Sequence, residues 1–303
     1  MHRLYFLLIL LLLGLAGCQK DVGFANINIK YNPDLFIEGI LYPNEPAKIY
    51  LSTSLPFIHE RVTPQDIFAR GAIVKLSTAN SSEKLEPDST FDKFRCRWAP
   101  FYGGKIPVAY GKKYSLEVTY QGKTYTASTT IDQPKVEITD VKYTPEFYDV
   151  YGGHDGVIIR LKDLPGIKNN YRFQMDRWID NTRLHAHVLD VITSTCTGEG
   201  ELFHVTDLGR TIFSDGQLDG KELEMYLEVS FEYLEGDSAT IYMQSLDEKS
   251  AAFFNDMDEQ LQSILNPFVE PVFLHSTIEG VLGVFGSVVR SDPVGFIYPQ
   301  ENP

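Results

Sequence analysis

A mainly β chain is predicted by three observations: apolar and polar residues alternate over short runs, aromatics make up 13% of the residues, and glycine and proline punctuate the runs. Helical periodicity is scarce. The expected architecture is an N-terminal β-sandwich over residues 34–132, followed by a second antiparallel β domain over residues 133–303 with one amphipathic helix near 246–265. A length of 303 residues suits two such units.

The first element is an apolar stretch of fourteen residues, Leu4 to Gly17, behind His2 and Arg3. A bilayer-spanning helix takes about 20 apolar residues, so this stretch is short for a span and suits a signal peptide over residues 1–17. Its exit, Leu15-Ala16-Gly17-Cys18, resembles the bacterial lipobox, where small residues let an extended backbone enter signal peptidase and the cysteine sulfur carries a diacylglycerol. The expected mature chain starts at Cys18 and is tethered to a membrane through acyl chains on that residue. Two or three chains make such anchoring stable where one does not. Residues 18–33 then read as lipid anchor and tether. No later stretch reaches about 18 unbroken apolar residues.

Strands follow from Leu35. "LFIEGILYP", "AKIYLSTSLPF", "AIVKLST" and "KYSLEVTYQGKTYTASTTI" all alternate. In the last, Tyr114, Leu116 and Val118 point one way while Ser115, Glu117 and Thr119 point the other, the period of a half-buried strand. Gln121-Gly122 predicts a tight hairpin turn. Several strands within about 100 residues predict an immunoglobulin-like or transthyretin-like sandwich. Asp132-Gln133-Pro134 breaks the pattern and marks the expected boundary.

The second region carries "GVIIRLKD", "YRFQMDRWI", "RLHAHVLDVI" and a long alternating run over 222–233. There Leu223, Met225, Leu227, Val229, Phe231 and Tyr233 form one face; Glu222, Glu224, Glu228, Ser230 and Glu232 form the other. A turn at Glu235-Gly236-Asp237 is expected to return this strand through "ATIYMQ" as its antiparallel partner. The helix is expected to begin after Ser245, because Ser245-Leu246-Asp247-Glu248 fits a capping box. Phe253, Phe254, Met257, Leu261 and Ile264 fall on one helical stripe, and Asn266-Pro267 ends it.

The charge balance excludes one class of partner. The sequence has 27 Lys+Arg against 41 Asp+Glu, a formal charge of −14 that becomes −15 when Arg3 leaves with the signal peptide. Nucleic acid and anionic head groups need clustered lysine and arginine, so neither is expected as a ligand. Cys96 and Cys196 are compatible with a disulfide in an exported protein or with two buried thiols. Neither sits in a CxxC or a metal-ligand spacing.

The tail "NPFVEPVFLHSTIEGVLGVFGSVV", residues 266–289, resembles the closing signature of a family of Bacteroidota outer-membrane lipoproteins known as domain of unknown function four-two-four-nine. The residues that carry the resemblance are Asn266, Pro267, Phe268, Glu270, Pro271, Ile278, Glu279, Gly280, Gly283, Phe285 and Gly286. "LFIEGILYPNEPAKIYLSTSLPF" is similar to the family's opening strand pair, and "IFSDGQLDGKEL" to its Asp-Gly turn before a long strand. Residues 140–205 match least. The resemblance implies a lipoprotein often encoded beside TonB-dependent receptors, and it supplies no catalytic residues to carry over. Gln19, Lys20 and Asp21 resemble the export tag that sends such lipoproteins to the cell surface, with Val22 in place of a second acid.

His185 and His187 share a strand face in metal-site spacing, with His204 or Asp190 to complete a shell, but two polar residues on a solvated face are the plainer reading. Gly280, Gly283 and Gly286 do not match a dinucleotide loop and read as a strand that another backbone approaches closely. Asp215-Gly216 and Asp219-Gly220 read as turns, since they lack a dense calcium-loop pattern. The Glu222, Glu224 and Glu228 row reads as a solvated face. Arg95, Arg97, Trp98, Phe101 and Tyr102 in "FRCRWAPFYGG" form the candidate recognition loop, because arginine and aromatics dominate interface hot spots. No GxSxG, HExxH or P-loop motif occurs, so neither cofactor nor catalysis is expected. The favoured reading is a non-enzymatic binding or accessory protein of a TonB-dependent receptor. The alternatives are a surface hydrolase on glycans or peptides and a structural or adhesive envelope protein.

Overall fold

The computed structural model describes residues 31–56, 62–93, 96–149, 152–180, 202–209, 212–216, 218–227, 236–265, 270 and 272–298. The chain is mainly β: sixteen strands in two sheets are seen among these residues. Residues 33–303 form one compact unit. Among the described residues no helix is long and apolar enough to cross a membrane.

The first seven strands are β1 (Leu35–Leu41), β2 (Pro46–Thr53), β3 (Ile73–Ser77), β4 (Ser82–Asp92), β5 (Arg97–Pro107), β6 (Lys113–Tyr120) and β7 (Lys123–Thr130), with a one-turn helix α1 (Pro64–Ile67) after β2. Alternation decides which side of each strand is buried. Ile37 and Leu41 of β1, Ile49 and Leu51 of β2, and Leu116 and Val118 of β6 all enter one core. The sheet runs β1-β2-β5-β4-β3-β6-β7 and folds over this core like a sandwich. Gln121 and Gly122 both take positive φ, +48° and +78°, the geometry of a two-residue hairpin turn whose twist matches its strands.

The remaining strands are β8 (Ile138–Asp149), β9 (Gly152–Lys162), β10 (Asn170–Asp180), β11 (Leu202–Leu208), β12 (Phe213–Ser214), β13 (Glu222–Leu227), β14 (Ser238–Leu246), β15 (Leu282–Arg290) and β16 (Val294–Ile297), with helix α2 (Glu248–Leu265) between β14 and β15. A three-stranded sheet, β13-β9-β8, packs on one face of β10 and β14 through Val157, Ile159, Leu161, Met175, Leu223 and Ile241. Ile131 belongs to the first core and Val136 to the second, so the chain crosses between them at 132–135.

The two ends of the chain are joined by β15, which runs parallel to β1 with Ile37 beside Gly283, and antiparallel to β14. A strand covered on both faces reads as a continuous apolar run, and "GVFGSVV" does so. Phe285 and Val289 face the first core, while Val288 faces Leu246 and Ala251 under α2.

Two expectations are corrected. β14 is not the hairpin partner of β13 among the described residues: β13 pairs with β9, and both edges of β14 are taken by β10, β15 and β16. The chain changes layer between them. The helix cap is Asp247, not Ser245, because β14 continues through Leu246 to pair with Val288. Asp247 Oδ1 accepts from the Ser250 amide at 3.0 Å, and its Oδ2 accepts from the Ser287 amide at 2.7 Å, which ties the start of α2 to β15. The apolar stripe of α2 docks through its first turns: Phe253 is buried, whereas Leu261 is 58% exposed.

Candidate recognition surface

β4 and β5 form a hairpin of two eleven-residue strands. Near its tip Phe91 and Trp98 are register partners with rings 5.2 Å apart, and both remain exposed. Arg97 is exposed next to Trp98, opposite Asp92. Cys96, at the turn with φ +50°, is disulfide-bonded to a partner outside the described residues.

Position along β5 divides the candidate loop: its first residues are exposed, and burial begins where the strand comes alongside β2. Phe101 is 5% exposed, against Tyr50 at 5.8 Å and under the Lys48 ammonium at 5.2 Å. Tyr102 is 1% exposed: its hydroxyl donates to Ala69 O at 2.8 Å and accepts from Ala72 N at 3.1 Å, and its ring meets Phe68. Phe101 and Tyr102 therefore anchor the hairpin, and Arg97 and Trp98 are its displayed face. Arg95 lies outside the described residues. At the foot of the hairpin Tyr50, Leu51, Ile67, Phe68, Ala99 and Pro100 line a shallow apolar cleft.

A second feature escaped sequence reading. On the sheet face that α2 partly covers, polar side chains bond in a row across three strands. Thr206 donates to Asp176 at 2.8 Å; Gln174 donates to Asp176 at 3.1 Å; Gln244 donates to Gln174 Oε1 at 2.8 Å; and Arg172 donates to Gln244 Oε1 at 2.9 Å. The Arg172 guanidinium lies over Phe254 at 4.6 Å, and Arg290 lies over Tyr42 at 4.9 Å while pairing with Glu45. Arg172, Gln174 and Gln244 are all buried, and satisfied networks of this kind hold a single arrangement. The signal was present in "YRFQMD", whose even positions are polar on a strand whose odd positions, Tyr171 and Met175, enter the second core.

Burial shapes the charges here. Desolvation pushes the Glu38 carboxyl above its ordinary range, with the Arg172 charge opposing. It also pushes Tyr42 up and Arg172 down. A raised carboxyl binds more protons folded than unfolded, so its stabilisation is complete below the unfolded pKa and is lost as pH rises through the folded one. The stability of wild type relative to Glu38→Gln is therefore expected to fall as pH rises from about 4.3 towards neutrality, which paired urea titrations across that range would measure.

The other constellations are placed as follows. His185, His187 and Asp190 lie outside the described residues, as do Cys18, Gln19, Lys20, Asp21, Cys196 and Glu228. His204 lies edge-on to Trp178 at 5.3 Å. Glu222 and Glu224 are exposed, and Arg160, 2.7 Å from Glu224, holds that carboxyl below its usual range. Gly216 and Gly220 take positive φ in turns, as expected. Of Gly280, Gly283 and Gly286, only Gly283 sits where another backbone approaches, since a Cβ on it would meet the Ile37 backbone; Gly286 faces the Ser250 and Asp247 side chains, and Gly280 lies in the turn before β15 with nothing within 4 Å of a Cβ.

No curated protein matches the chain. The family described as "Domain of unknown function (DUF4249)" matches residues 25–292, and the chain belongs to that family.

Proposed function

We infer that the chain is a lipid-anchored, non-enzymatic protein of the outer membrane, displayed at the cell surface, which binds a ligand for a TonB-dependent receptor or docks on one. The observation that carries this reading is Leu15-Ala16-Gly17-Cys18 behind a short apolar run. A rigid hairpin displaying Arg97 and Trp98 supports a binding role, since these residue types anchor interfaces. The receptor association rests on the family resemblance.

The disulfide offers a direct test. The sequence holds three cysteines, and Cys96 is bonded. A thioether to glyceride at Cys18 removes that sulfur from the choice and leaves Cys196. Mass spectrometry of the native protein is expected to show a terminal acylated Cys18 and a peptide joining Cys96 to Cys196. A peptide joining Cys96 to Cys18 would end the anchoring proposal. With Cys18→Ala the protein is expected to leave the membrane fraction, and tagged wild type in mild detergent is expected to retain a receptor; recovery of the anchored protein alone, with no receptor and no nutrient bound, would end the partnership proposal.

A further inference from the structure

Three carboxylates from separate parts of the chain meet where strand ends converge. Asp163 follows β9, Asp215 follows β12, and Asp219 lies in the turn before β13; one oxygen from each lies within 4.8 Å of the others. Asp163 is fully buried and Asp215 is 3% exposed, while Asp219 opens to solvent. Among the described residues no lysine, arginine or histidine pairs with Asp163 or Asp215. Their donors are the Tyr171 hydroxyl, the amides of Gly220 and Asn169, and the Asn169 side chain. Buried carboxylates are costly unless paired with a cation or bound to a metal.

Asn169 supplies an independent sign. Its carboxamide, in a residue 3% exposed, lies against both buried acids, and its Oδ1 is sealed from water with no hydrogen-bond partner. The Nδ2 on the other side faces four oxygens: Asp163 Oδ1 at 3.1 Å, Asp215 Oδ2 at 3.3 Å, Leu164 O at 3.3 Å and Ile167 O at 2.9 Å. Two protons serve four acceptors. A carboxamide turned over keeps its shape and exchanges its oxygen and nitrogen. In one orientation a buried oxygen goes without a donor; in the other it faces four oxygens, which is repulsive unless a cation lies among them. A cation among those oxygens turns the repulsion into ligation.

We propose that this cluster is a calcium site, with Asp163, Asp215, Asp219 and the turned-over Asn169 Oδ1 as side-chain ligands and the carbonyls of Leu164 and Ile167 beside them. The donor set is all oxygen, as calcium prefers. Calcium bonds oxygen at about 2.3–2.6 Å, so ligands on opposite sides of the ion stand about 4.6–5.2 Å apart, and the observed spread fits without contraction. Magnesium, at about 2.0–2.1 Å in a strict octahedron, requires a tighter cage. The ion ties the end of β9, the start of β10, the end of β12 and the turn into β13, so it fastens the three-stranded sheet to the larger one.

The test uses the full chain in detergent, stripped with EDTA. Millimolar calcium is expected to raise the melting temperature, and terbium is expected to give tyrosine-sensitised luminescence, since the Tyr171 hydroxyl lies 2.6 Å from Asp163. Calcium should quench that signal at concentrations where magnesium does not. Asp215→Asn is expected to weaken calcium by about tenfold or more, since even partners behind metal ligands cost that much. Asp219→Asn, at an exposed position, keeps the test sound if the buried variant does not fold, and should weaken calcium in the same direction. No terbium signal and no calcium-dependent melting shift, an equal response to magnesium, or wild-type affinity in Asp219→Asn would each overturn the assignment.

Discussion

Replacing Asp207 with alanine is expected to cost about 3–5 kcal/mol, a large share of the about 5–15 kcal/mol that holds a domain together. Arg177, on β10, is the largest fully buried side chain described, and its Nη2 lies 3.0 Å from Asp207 Oδ2 on the neighbouring β11. Neither side chain is appreciably exposed. Without the carboxylate, the guanidinium keeps its charge inside the protein, because arginine does not deprotonate there. The cost comes from removing part of the compensation of a buried charge more than from the lost bond itself. The double variant Arg177→Met, Asp207→Leu is therefore expected to recover most of the loss, since buried pairs can be replaced by apolar residues at little cost. Urea unfolding of wild type, single and double variants measures this. If the double variant falls as far as the single one, packing around Arg177 rather than its charge explains the loss.

Local pairing was legible in the sequence; long-range pairing was not. The β6–β7 hairpin could be read because Tyr114, Leu116 and Val118 keep period two and Gln121-Gly122 supplies the two positive φ angles of the turn. Periodicity says which face of a strand is buried, but not which strand lies beside it. That is why β13 could be assigned its core face correctly, with Leu223 and Leu227 buried, and yet be given the wrong neighbour. The cap of α2 shows the same division. Ser245 and Asp247 both precede a plausible first turn, and the choice falls to β15, whose pairing holds Leu246 in the sheet. Trp98 and Tyr102 look alike as members of an aromatic loop and share a parity along β5; what separates them is that Tyr102 lies beside Ile49 of β2, over the core, while Trp98 lies nearer the hairpin tip beside Phe91. The Asp163, Asp215 and Asp219 cluster was half visible as two Asp-Gly turns. The third acid lies about fifty positions earlier, and only the fold brings it there.

Gly283→Ala is expected to cost about 3 kcal/mol or more, at or above the upper end of ordinary overpacking. Gly283 stands beside Ile37 in the parallel pair that joins the last part of the chain to the first strand. A Cβ there would lie 2.1 Å from the Ile37 carbonyl oxygen and 2.9 Å from its carbon. Those atoms belong to backbone, so no rotamer change relieves the contact; β15 itself must move. Such a move pulls Phe285 and Val289 from the first core and strains the bond from Ser287 to Asp247 that seats α2. Gly286→Ala meets Ser250 Oγ and Asp247, where a side chain can yield, and is expected to cost less. Gly295→Ala, in β16, has no atom within 4 Å of its Cβ and should stay within about 0.5 kcal/mol of wild type. The order of the three variants in chemical denaturation reads the contact directly. A Gly283 variant as stable as the Gly295 one would mean that β15 does not lie against β1, and the closure of the first core by the far end of the chain would have to be abandoned.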